Sequence, residues 1–139
     1  LGHGYNPAVW AELTIDQRRA ALYAEADAMA ALIVDGTLLE EAAAEESLKA
    51  EGVTFHAPGE DLTASIAAFR AKQPENAVPI IQETYKIAEA EALLARFQAT
   101  IDKWDAKLAD VPVEDKETLA DMMRAEIYDK LDLATYGLQ

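Results

Sequence analysis

Ile80, Ile87, Leu94, Ile101 and Leu108 stand seven residues apart, and Ala90, Phe97 and Trp104 fill seam positions between them. Apolar residues in that register are the mark of a long helix packed along one stripe. At about 1.5 Å per residue, the spacing predicts a helix of about 43 Å over residues 80–108. A globule of this length has a diameter of only about 37 Å. The pattern therefore requires an elongated helical bundle or a place in a larger body.

Composition points the same way. The chain has 139 residues, 29 of them Ala, with only 6 Gly and 5 Pro. Such a chain, rich in helix formers and poor in breakers, reads as all-α and disfavours a sandwich or a barrel. Its length fits a single helical domain over 1–139, able to bury about two-thirds of the surface of its unfolded chain.

Residues 1–13 read as an irregular start anchored by Trp10 and Leu13. Thr14 fits an N-cap, and no proline follows before Glu51. Leu22, Ala26, Met29 and Ile33 make one helical stripe, which Gly36 is expected to kink or break. The helix resumes through Leu39, Ala43 and Leu48 and stops at Gly52. In residues 53–56 the alternation of Val53 and Phe55 with Thr54 and His56 predicts one short extended segment. It is either merely extended or a strand whose partners lie elsewhere. Asp61 is expected to cap a helix that Pro74 ends, with Asn76 capping the next and Pro79 in its first turn. Asp115 caps a last helix through Leu119, Met123, Ile127 and Leu131. Leu94 and Phe97 are expected in the core, so that Asp at either position unfolds the chain.

Charge restricts the partners. With 26 Asp and Glu against 12 Lys and Arg, the formal net charge is -14. Phosphate contacts need clustered Lys and Arg, so nucleic acid is not an expected partner, and an anionic membrane surface would repel the chain. There is no cysteine, hence no disulfide, thiolate ligand or thiol nucleophile. No run of 18 apolar residues marks a membrane span, and no signal peptide is visible.

Few residues suggest chemistry. His3 and His56 are the only histidines and share no ligand spacing, so no metal site and no cofactor are expected. Glu40, Glu41, Glu45 and Glu46 read as a solvated helix face. Ser47 and Ser65 have no neighbouring base motif, and no catalytic residue is assigned. Arg18 and Arg19 read as a solvated pair, or as ion-pair partners of Glu12 or Asp16. Trp104 reads as core rather than as a ligand platform. Nothing supports an enzyme.

The order of features is nevertheless informative. VWAELTIDQRRA leads into a long Ala/Glu helix that ends in LKAEGVTFHAPGEDL; AAFRAKQ, FQATIDKWDAKL and EIYDKLDLATYGL follow. This order resembles the C-terminal portion of the solute-binding proteins of tripartite ATP-independent periplasmic (TRAP) transporters, of the DctP type. The positions that carry the resemblance are Trp10, Leu13, Gly52, Val53, Phe55 and Pro58, then Trp104 and Tyr136–Gly137. It implies a two-lobed α/β periplasmic protein that closes on an organic acid, dicarboxylate-like, and delivers it to membrane permease subunits. The family's carboxylate-binding arginine lies upstream of the part present here, so no ligand-binding residue is carried over to this chain. On this reading the chain, which starts at Leu1 without Met, is a C-terminal fragment. The alternative is a stand-alone acidic helical interaction or oligomerisation module. On the fragment reading the stripes Leu22–Met29–Ile33 and Ile87–Leu94–Ile101 lack the parent's sheet and second lobe and are expected to drive self-association, because large apolar patches are seldom left bare.

Overall fold

The computed structural model describes residues 4–138 and is all-α, with no strand among them. Six α-helices follow in order: α1 (Pro7–Glu12), α2 (Ile15–Ile33), α3 (Glu40–Ala50), α4 (Glu60–Glu83), α5 (Ala90–Leu108) and α6 (Lys116–Glu126). They belong to two compact units. One comprises Leu1–Gly52 with Val111–Gln139, the other Val53–Asp110.

The first unit is built on α2. Its start is fixed by a reciprocal capping box: the Gln17 N–H donates to Thr14 Oγ1 at 3.2 Å, and the Thr14 N–H to Gln17 Oε1 at 2.9 Å. Residues 7–12, expected to be irregular, form α1, capped by the Asn6 side chain with Pro7 in its first turn. Gly36 does not break the long helix. Val34–Leu39 takes a π-helical turn between α2 and α3, within which the Thr37 hydroxyl donates back to the Leu32 carbonyl at 3.2 Å. A wider turn absorbs the glycine without interrupting the backbone bonding. The helix stops where expected, at Gly52, whose φ of 90° an L side chain rarely adopts.

α6 closes this unit against α2. Ala26, Ala30 and Ala120 are buried where the helices approach, with Leu119, Met123 and Tyr128 packed around them. Alanine at the crossing leaves little side chain between the two backbones, so close packing replaces bulk. Polar links flank the contact: Arg124 pairs with Asp27 of α2 and with Asp121, and Lys116 pairs with Asp35. Asp115 caps α6 as expected, accepting from the Thr118 N–H at 3.0 Å and its hydroxyl at 2.7 Å. The last helix ends at Glu126, short of Leu131, and a 3₁₀ turn over Tyr128–Lys130 follows.

The second unit departs most from expectation. Residues 53–59 carry no regular secondary structure. Gly59, not Asp61, holds the N-cap position of α4. Pro74 does not end that helix, which runs through both Pro74 and Pro79 to Glu83. Lacking an N–H, these prolines leave the Arg70 and Glu75 carbonyls without their usual intrahelical donors. The predicted 29-residue helix over 80–108 is divided. The chain turns between Glu83 and Ala90, with Lys86 in the left-handed region at φ 58°. The Ile87 N–H donates to the Ile81 carbonyl at 3.2 Å and Gln82 Nε2 to the Ala88 carbonyl at 3.3 Å, tying down the reversal. The heptad seam thus belongs to two helices that pack along each other rather than to one.

That hairpin buries little. Among the described residues of the unit only Ala90 is buried. Phe97 is 64% exposed and Leu94 half-buried, so neither is the core position that the seam suggested. Trp104 is half-buried.

Candidate functional site

The densest set of specific contacts in the first unit surrounds Arg18. A step of four residues along α2 takes Arg18 to Leu22, Ala26 and Ala30, all buried. The arginine therefore extends the buried stripe by one turn, while Arg19, one residue on, is exposed. Its guanidinium is neither solvated nor paired with Glu12 or Asp16, as the sequence suggested. Nε donates to the Trp10 carbonyl at 3.1 Å, Nη1 to the Leu133 carbonyl at 2.9 Å and Nη2 to the Ala11 carbonyl at 3.1 Å. The planar fork suits this task, because it presents donors in fixed directions to several acceptors at once. α1 and the C-terminal segment are thereby held to the start of α2.

Trp10 is the second member. It is buried with Leu22 and Leu133, and Leu13, Ala21, Tyr128 and Leu131 pack against the three. The guanidinium carbon of Arg18 lies 5.8 Å from its ring centre, a cation–π contact. Its indole Nε1 donates to the Tyr136 carbonyl at 2.8 Å, and the Tyr136 ring meets it edge-on at 6.4 Å. Gly137 follows with φ 73°, and a Cβ there would stand 2.9 Å from the indole nitrogen. Both the backbone angle and the approach of the ring demand glycine.

Beside this junction lies a cleft of about 590 Å³, lined by Tyr5, Trp10, Glu25, Met29, Tyr128 and Tyr136 among others. Burial, then the charge of Glu25, then Tyr136, push the Tyr128 hydroxyl above its ordinary range, which favours its neutral form. Among the described residues the lining holds no Lys, Arg or His. An anionic ligand would find no charge partner there, and a carboxylate bound without one is costly to desolvate.

The remaining sequence candidates do not converge. His56 is exposed, and His3 lies outside the described residues. No group of three or more His, Asp or Glu that could hold a metal ion occurs among the described residues. Glu40, Glu41, Glu45 and Glu46 lie on the exposed α3, where Lys49 bridges Glu45 at 2.7 Å and Glu46 at 3.0 Å. Ser47 and Ser65 are exposed on different helices. No helix among the described residues is long and apolar enough to cross a membrane.

The chain matches no protein-family model, no curated protein and no solved structure.

Proposed function

We propose that this chain is the C-terminal segment of a periplasmic solute-binding protein of the TRAP type, whose whole captures an organic acid and passes it to membrane permease subunits. The observation that carries the reading is the junction around Trp10. Two landmarks of the resemblance, Trp10 and Tyr136–Gly137, stand at opposite ends of the sequence and are joined by the 2.8 Å indole bond and the glycine that admits the ring. Sequence order alone does not require those residues to meet. Their contact gives each a physical reason to be what it is.

In this reading the segment is scaffold. Its buried arginine is spent on three main-chain carbonyls, and its aromatic cleft offers an acid no cation among the described residues. Recognition of the acid then rests with the upstream part of the parent. The exposed apolar side chains of α4 and α5 favour the second reading, a stand-alone helical interaction module.

Calorimetry with succinate, malate and sugar acids separates the two. The proposal expects no heat from this chain and micromolar binding by the protein that includes the upstream reading frame. Micromolar binding by this chain alone, or none of these acids bound by the longer protein, overturns it.

A further inference from the structure

We infer that the α4–α5 hairpin is a dimerisation surface, and that its occupant is the same hairpin of a second copy of this chain. A two-helix hairpin has no interior, and this one buries only Ala90 among its described residues. Its apolar residues nevertheless form stripes. Leu62, Ile66 and Phe69 recur on α4 at steps of four and three and are 51%, 41% and 64% exposed. Phe97 and Ile101 lie four apart on α5 at 64% and 38%. All three phenylalanines of the chain fall in this unit, and the third, Phe55, is 49% exposed. Between the helices runs a groove of about 730 Å³ lined by Pro74, Val78, Leu94, Phe97 and Gln98 among others.

The area is sufficient. The chain leaves 10443 Å² accessible. Two separately folded bodies with the masses of the two units would together expose about 8,500 Å². The surplus of about 1,900 Å² exceeds the ~800 Å² that each partner contributes to an ordinary stable interface. The first unit covers Leu22 and half-buries Met29 and Ile33, whereas the hairpin unit buries only Ala90 among its described residues. The expected self-association is thereby assigned to one surface.

Charge favours a second copy over an oppositely charged partner. Residues 53–110 hold 9 Asp and Glu against 6 Lys and Arg, a net -3, while the rest of the chain holds 17 against 6, a net -11. The hairpin is the one unit with enough of both signs to meet its own copy without strong repulsion. Two hairpins related by a two-fold axis make four helices, the simplest helical arrangement with a central core.

Sedimentation equilibrium at 10–100 μM in 0.15 M salt tests the inference. The expected mass is twice 15.1 kDa, with association strengthened by added salt because the first units repel. Phe69→Glu and Phe97→Glu should each weaken the dimer more than 100-fold with unchanged helical circular dichroism, whereas Leu48→Glu on α3 should leave it intact. The chain has no cysteine, so a single Gln98→Cys should form a disulfide-linked dimer on mild oxidation, faster than Ser47→Cys. That comparison decides the matter even if a glutamate variant fails to fold. A monomer, a mass other than that of a dimer, a Leu48→Glu variant that dissociates, or faster cross-linking at residue 47 overturns the inference. The test does not involve ligand, so it can fail while the proposed parent stands, and the reverse.

Discussion

Replacing Arg18 by Met should remove three hydrogen bonds while keeping most of the aliphatic stem and its packing. The three lost acceptors are not equivalent. The Trp10 carbonyl still accepts from the Leu13 N–H at 3.3 Å, so it is not orphaned. The Nη2 bond to the Ala11 carbonyl is only part-buried, which lets water replace the guanidinium there. The Leu133 carbonyl, reached by a buried bond, bears the full loss. A hydrogen bond to a charged donor contributes about 1.5–3 kcal/mol, and an unsatisfied buried carbonyl costs about 1–3 kcal/mol. One full loss and two partial ones, less the gain from no longer burying a charge, come to about 3 kcal/mol. For a unit of this size that is a fall in Tm of about 15 °C. Arg19→Met, on the exposed side of the same turn, should change stability by no more than about 0.5 kcal/mol. Urea unfolding followed by Trp10 fluorescence, in a Trp104→Phe background so that only the first unit reports, measures both. Equal effects at the two arginines, or a change below about 0.5 kcal/mol at Arg18, would refute the anchoring role.

Gly137→Ala should cost about 2 kcal/mol in the same assay, from a side chain forced to φ 73° and set against the Trp10 indole; an unchanged midpoint would mean that the ring yields freely. The Thr118 N–H, then the Thr118 hydroxyl, hold the Asp115 carboxyl below its ordinary pKa of 3.8. A depressed carboxylate stabilises the fold fully above that value and loses its contribution as pH falls through the folded pKa. The difference in urea midpoint between the native chain and Asp115→Ala should therefore be constant from pH 7 to 5 and shrink below about pH 3.8. A difference that grows on acidification would contradict the cap.

What the sequence made legible was local. Thr14, Asp115 and Gly52 act where the chain reads them, because a cap depends on three or four neighbouring residues. The helical class follows from alanine content in the same way. Tertiary competition decided the rest. The seam from Ile80 to Leu108 is periodic enough for one helix, yet the chain reverses at Lys86, a residue with no turn signature. The reversal is tied by the Ile87 N–H to the Ile81 carbonyl and by Gln82 to the Ala88 carbonyl, bonds that the apolar period does not announce. Pro74 reads as a helix end, and Pro79 as part of the next helix's first turn, because an interior proline costs about 3 kcal/mol, yet α4 runs through both.

Arg18 reads as solvated in the sequence because charged pairs on helices usually are. Its sequence signal was present in the four-residue step to Leu22, Ala26 and Ala30, which places it on the buried stripe and Arg19 off it. The three carbonyls it meets come from α1 and the C-terminal segment, one of them 115 residues away, and no local pattern announces them. The same holds for Trp10 and Gly137, each unremarkable in its own neighbourhood and explained only by the other.

The central claim is a division of labour: one unit closes on its own core around Arg18 and α2–α6, and the other depends on contacts beyond itself. Hydrogen exchange followed across the chain from 1 to 100 μM tests it most directly. Amides of 15–33 and 116–126 should exchange slowly at every concentration, as expected of a closed core. Those of 60–83 and 90–108 should exchange quickly at the lowest concentration and gain protection as it rises. Equal protection of both units, independent of concentration, would contradict the account.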